Sequence, residues 1–182
     1  MKRLETPRLI LRRLNTLDSQ DVFSLMGDTA TAWWADVLPM TEEDEAIDFI
    51  RWGNDAWDMG QWGICEKGSD RVIGLLQVKF PHRTGHAGRL ELGYMLGAEY
   101  RRRGYMAEAV EAACRELFSE PSVKEIILEI LPDNAASRGV ARRVGFTLLG
   151  VEPWARPQRR LDGEPLDTFI ITREALRAAI AA

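Results

Sequence analysis

The sequence predicts a mixed α/β fold, and three observations carry that prediction. Short β-rich runs alternate with stretches whose apolar residues recur every three or four positions. Turn signals rich in Gly, Pro, Asp and Asn separate these stretches. No repeat, low-complexity tract or linker interrupts the alternation across 182 residues, 46% of them apolar, so one domain spanning 1–182 with a substantial core is expected.

Each element has its own warrant. "RLILRRL" (8–14) is short and β-rich, and Pro7 stops any earlier helix. In "TLDSQDVFSLMGD" (16–28), Val22, Leu25 and Met26 keep helical spacing, with Asp18 or Ser19 as candidate cap. "ATAWWADVLPM" (30–40) reads as an aromatic-rich connection. "TEEDEAIDFIRWGNDAW" (41–57) predicts a helix, with Thr41 as N-cap, acidic residues in the first turn, and Ile47, Phe49 and Ile50 on the apolar side. Three strands follow. "QWGICEK" (61–67) and "RVIGLLQVKF" (71–80) are joined by the hairpin-length turn "GSD", and a longer turn leads into "LELGYML" (90–96). Along this last strand, Leu90, Leu92, Tyr94 and Leu96 point one way, and Glu91, Gly93 and Met95 the other.

A helix comes next, with Ala107, Val110, Cys114 and Leu117 on one face and Glu108, Glu111 and Arg115 on the opposite one. "KEIILEIL" (124–131) is a strand, and "DNAASRGVARRVGF" (133–146) a capped helix closing on Gly145. "TLLGVEP" (147–153) and "EPLDTFIIT" (164–172) are strands, before a short terminal helix at 173–182. The order is β-α-α-β-β-β-α-β-α-β-β.

Charge narrows the function classes. A net charge of -4 argues against general nucleic-acid affinity, which rests on cations facing phosphates. Two cysteines in unrelated patterns make no disulfide framework, and no run is apolar enough for a membrane span or a signal-peptide core. A cytoplasmic protein that binds neither membrane nor nucleic acid is expected.

Against that acidic background, "AEYRRRGYMAEAV" (98–110) sets three arginines and a glycine between a strand and a helix. The first amides of a helix lack intrahelical acceptors, and the helix dipole makes that end positive, so an anion placed there satisfies both. Gly104 lets the backbone approach a ligand, and Arg101, Arg102 and Arg103 add charge and forked donors. The stretch fits a polyphosphate cradle or a solvated basic helix start. It is neither a Walker loop nor a dinucleotide fingerprint, since the required glycine spacings are absent.

This loop resembles the acyl-coenzyme A loop of the GNAT superfamily of N-acetyltransferases: Gln or Arg, two residues, Gly, one residue, then Gly or Ala. Arg101 and Gly104 match, while Met106 stands at the second small position. "ETPRLILRRL" and "PDNAASRGVARRVGFTLLG" resemble the opening strand and late helix of its ribosomal-protein N-terminal acetyltransferase (RimJ/RimL-like) branch. The resemblance covers nearly the whole chain. It implies a mixed, mostly antiparallel sheet flanked by helices, with parallel fourth and fifth strands that splay apart to receive the pantetheine arm.

It also implies roles. Met95 and Leu96 would offer backbone groups to pantetheine, the amides from Arg102 through Tyr105 to Met106 would hold the diphosphate, and Asn134 would hold the arm or simply cap its helix. Arg138 and Arg142 would reach the adenosine phosphate or lie on a solvated face. Acetyl transfer from acetyl-CoA to a primary amine, on a protein N-terminus or a small molecule, needs a base. Glu91 is the candidate, or else a structural carboxylate paired with an arginine. Many relatives place a tyrosine acid where this chain has Ala141, which leaves Ser137 as the candidate acid, or as a helix-cap serine. Trp33 and Trp34 border the acceptor site or staple the core, and Asp36 with the acidic run at 42–48 is a possible source of negative charge for a cation.

No metal is expected. His82 and His86 lie in a turn without acidic or cysteine partners, and Cys114 lies on an apolar helix face. The alternative function is a non-catalytic acyl-CoA-binding regulatory module. Monomer and homodimer are both compatible with the sequence.

Overall fold

The computed structural model describes residues 1–35, 37–56, 59–80, 85–151 and 166–181. A mixed sheet of eight strands organises them in the order β1-β2-β3-β4-β5-β6-β8-β7. Strands β1 (Leu4–Glu5), β2 (Leu9–Arg12), β3 (Met59–Glu66), β4 (Val72–Lys79) and β5 (Arg89–Leu96) form an antiparallel meander. β5 then pairs in parallel with β6 (Glu125–Ile130). β8 (Asp167–Thr172) runs antiparallel to β6, and β7 (Thr147–Val151) forms the edge. The two-residue β1 was not expected, so the expected fourth and fifth strands are β5 and β6.

Helices α1 (Ser19–Gly27), α2 (Thr29–Trp34) and α3 (Glu43–Asp55) fall between β2 and β3. α4 (Tyr105–Leu117) links β5 to β6, α5 (Ala135–Val144) links β6 to β7, and α6 (Arg173–Ala181) follows β8. Three local expectations are corrected. The connection at 30–40 contains helix α2, capped by Asp28, whose Oδ2 accepts from the Thr31 amide at 2.7 Å. Asp18 does not cap α1: Arg12 grips its carboxylate at 2.7 and 2.8 Å, and Asn15 caps the 3-10 turn that precedes the helix. Glu42, not Thr41, is the N-cap of α3, because Glu45 reaches back to the amides of Thr41 and Glu42 at 2.9 and 3.0 Å.

The core lies on both faces of the sheet. On one, Leu9, Trp62, Leu76 and Leu92 meet Val110 and Cys114 of α4 and Val144 of α5. On the other, Leu75 and Cys65 meet Val22 and Met26 of α1 and Ile50 of α3. Each large side chain so buried contributes about 1.5–3 kcal/mol. The alternation along β5 matches this division: Leu90, Leu92, Tyr94 and Leu96 join the first cluster, and Met95 packs on the second.

The sheet divides between β5 and β6. Their ladder holds Arg89, Leu90 and Glu91 against Glu125, Ile126 and Ile127 and then stops. Beyond it, β5 stays with β4 as far as Leu96 against Gly74, while β6 stays with β8 as far as Ile130 against Asp167. No helix of the described residues is long and apolar enough to cross a membrane.

Candidate functional site

Strand β5 leaves the sheet at Gly97, whose amide donates to the Ile73 carbonyl at 2.9 Å. A 3-10 turn at Ala98–Tyr100 follows, and Arg101 then folds its guanidinium back beneath the turn. Its Nε donates to the Leu96 carbonyl at 3.0 Å and its Nη2 to Thr31 Oγ1 at 2.7 Å. Arg102 sits at φ 62 and Gly104 at φ 80, both left-handed. That conformation costs a side-chain-bearing residue about 1–2 kcal/mol, so the loop holds Arg102 under strain. The two left-handed residues bring the chain into α4 with no side chain capping its first turn. Met106 buries its side chain in the core, leaving only its backbone to the loop.

A cleft of about 850 Å³ opens where these features meet. Arg101, Arg102, Gly104, Tyr105 and Met106 form its loop wall, and Met95 and Leu96 the strand wall. Asn134 and Ser137 line it from the start of α5, and Trp34 from α2. Asn134 caps α5, its Oδ1 accepting from the Ser137 amide at 3.1 Å. The Tyr94 hydroxyl donates to the Ser137 carbonyl at 3.4 Å, and burial raises the Tyr94 pKa strongly.

The structure places the remaining candidates elsewhere. Arg103 is exposed: its carbonyl accepts from Arg8 at 2.9 Å and its guanidinium lies over the Tyr100 ring. Trp33 does not line the cleft. Glu91, 3% exposed, lies on the opposite face of the sheet at the last rung of the parallel ladder, where Lys79 Nζ pairs with it at 2.6 Å. Lys79, from β4, is thus one partner of this carboxylate. Because Gly97 faces β4, one-in-two alternation turns the backbone groups of Met95 toward β4 as well. Those of Tyr94 and Leu96 face the gap. This corrects the expected backbone pair from Met95 and Leu96 to Tyr94 and Leu96.

Sequence reasoning missed Tyr94, Thr31 and Arg143, all of which line the cleft. Arg143 had a readable signal, since Ala136, Gly139, Val140 and Arg143 make one stripe at helical spacing. Arg138 instead pairs with Asp167 and lies over the Phe169 ring, and Arg142 is exposed. Ala141 is fully buried. His82 and Asp36 lie outside the described residues. Among those described, no cluster of His, Cys, Asp and Glu is arranged to hold a metal ion. Cys65 and Cys114 are free and buried, and burial pushes both thiols up.

A loop of amides at a helix start thus lies beneath a parallel strand pair that splits. The model for the acetyltransferase (GNAT) domain matches residues 8–147. The chain belongs to that family. Among its GNAT relatives is the uncharacterized N-acetyltransferase p20 of Bacillus licheniformis, 26% identical over 175 residues, covering 94% of this chain and 96% of that protein. Two solved acetyltransferases share the fold. RimL, a ribosomal alpha-N-protein acetyltransferase solved with coenzyme A, is 18% identical, covers 96% of this chain and 99% of its own, and has a TM-score of 0.77. MccE, a microcin self-immunity acetyltransferase solved with acetyl-CoA and AMP, is 16% identical, covers 92% and 93%, and has a TM-score of 0.76.

Proposed function

We propose that this GNAT protein transfers acetyl from acetyl-CoA to a primary amine, either a protein N-terminus or a small molecule. One observation carries the reading: the β5–β6 ladder ends at Glu91 and Ile127, and the open strands lead to the loop at Arg101–Gly104. A pantetheine arm has amides that can take the place of the missing ladder, using the Tyr94 backbone and the Leu96 N–H, the Leu96 carbonyl being held by Arg101. The amides from Arg102 to Met106, with the positive end of α4, suit a diphosphate. Arg143 adds a cation on the far wall, and the side-chain amide of Asn134 supplies a donor for the arm, since its oxygen is engaged in the cap.

In the transfer, the amine first loses a proton, its nitrogen bonds the acetyl carbon, and the carbon–sulfur bond breaks. Glu91 is the proposed acceptor of the amine's proton, acting through water from the face of the sheet opposite the cleft. It stands at the apex of the split, with Lys79 Nζ 2.6 Å from its carboxylate. Ser137 is the proposed donor to the leaving thiolate. The Leu96 N–H, facing the gap, is placed to stabilise negative charge on the acetyl oxygen. The acceptor class rests on RimL and MccE being acetyltransferases of a protein N-terminus and of a microcin-immunity system.

Calorimetry with CoA, followed by acetyl-CoA with a panel of amines and N-terminal peptides read by mass spectrometry, tests the proposal. Acetylated product is expected. Tight CoA binding with no product from any acceptor would favour the non-catalytic module, and no CoA binding at millimolar concentration would end both readings.

A further inference from the structure

Arg101 is the third member of a four-residue chain of hydrogen bonds that runs from Asp28 through Thr31 and Arg101 to Leu96. Asp28 Oδ2, at the start of α2, accepts from the Thr31 hydroxyl at 2.5 Å and from the Thr31 amide at 2.7 Å. Thr31 Oγ1, having donated its hydrogen to Asp28, presents its lone pairs to Arg101 Nη2 at 2.7 Å. The same planar guanidinium donates its Nε to the Leu96 carbonyl at 3.0 Å. Thr31 is 4% exposed and Asp28's carboxyl is held below its usual range, first by the Thr31 hydroxyl, then by the Thr31 amide, with the Arg101 charge contributing.

The consequence is geometric. Leu96 ends the strand that borders the gap, and Arg101 begins the loop, so one rigid fork fixes the distance between them. The fork can do this only while its outer nitrogen is anchored, and the anchor belongs to α2. Trp34, one turn further along α2, lines the cleft. A single guanidinium therefore ties three walls together: the strand end, the amide loop and the helix that carries the indole. With this guanidinium turned inward, charge toward a bound phosphate falls to the neighbouring groups, and Arg101 acts as a brace.

We propose that Thr31 is a positioning residue: through Arg101 it holds the cofactor loop and the end of β5 in their binding geometry and joins them to α2. The proposal rests on the reading of the cleft as the CoA site. It assigns the motif arginine a support outside the motif, on a helix within what the sequence predicts as an aromatic-rich connection.

The test is CoA titration of the full chain by calorimetry, with thermal midpoints measured in parallel. Thr31→Val keeps the shape and removes the oxygen, and should weaken CoA binding about tenfold. Thr31→Ser restores the oxygen and should return affinity to within about twofold of wild type. Arg101→Lys keeps the charge but cannot span Leu96 and Thr31, so it should lose affinity as Thr31→Val does. This variant decides the matter even if the valine protein does not fold. A merely structural threonine would lower the midpoint without changing affinity in the folded protein. Wild-type affinity in Thr31→Val or in Arg101→Lys, or a serine variant as weak as the valine one, overturns the positioning role. Failure of the wild-type chain itself to bind CoA would overturn the site reading as well, which separates the two results.

Discussion

Gly104 is the residue at which a helix start becomes available to a ligand. A Cβ built there would stand 3.5 Å from Arg8 Nη2 and 3.8 Å from Arg143 Cζ, ordinary contact distances. Space is thus not the constraint. The constraint is φ 80, which a β-branched residue resists, and the side chain such a residue would raise among the loop amides. Gly104→Val is expected to cost about 1–2 kcal/mol of stability from the backbone alone. CoA affinity should fall more than tenfold, more than 1.4 kcal/mol. A melting curve and a CoA titration on the same preparation check both, and unchanged affinity would remove the loop from the binding site.

Glu91 is a second residue-scale case, because its proposed work depends on the state of the acceptor. A primary amine is increasingly protonated as pH falls below its own pKa, and only the neutral form attacks. A base is therefore most needed at low pH and dispensable once the amine is already neutral. Glu91→Gln should depress kcat by about 10²-fold at the acid end of the profile, in line with general-base contributions. The gap should narrow as pH rises toward the amine pKa. A pH–rate profile parallel to wild type across this range would leave Glu91 a structural role, its ion pair with Lys79 included.

At the scale of elements, periodicity made the large pieces readable and hydrogen-bond competition hid the small ones. The apolar stripe of α4 and the alternation in β5 were legible because burial acts on every third, fourth or second residue. The left-handed Gly145 closing α5 at φ 101 was legible for the same kind of local reason. Helix α2 was not: six residues holding two tryptophans have too little length for a period, and its start depends on Asp28 accepting from Thr31. The caps of α1 and α3 were misjudged because each turns on which of several neighbouring acids is already engaged. Asp18 is committed to Arg12, and Glu45 reaches back past Glu42. In the candidate site, the loop residues came from a local motif, whereas Tyr94 and Thr31 depend on strand register and on a contact between Thr31 and Arg101 across 70 positions.

The whole molecule is a sheet kept from closing. Eight strands would leave unpaired donors only at the outer edges, β1 and β7, if β5 and β6 stayed paired throughout, yet their ladder stops after three residue pairs. Each strand is held away from the other by its second neighbour, β5 by the antiparallel ladder to β4 and β6 by that to β8. Unpaired strand edges are normally covered or blunted, since they recruit other chains. Here the edge groups of Tyr94 and the Leu96 N–H face a cleft instead, which is the arrangement a strand-like ligand completes. Hydrogen exchange on the full chain reads this directly. In the free protein the Tyr94 and Leu96 amides should exchange faster than those of Gly93 and Met95, which alternation directs to β4. Saturating CoA should slow Tyr94 and Leu96 by at least about tenfold while leaving Gly93 and Met95 little changed. Equal protection of all four amides before CoA is added would mean that the split is closed in solution. Loss of contrast only at the loop would place the ligand on Arg101–Met106 without its arm between the strands.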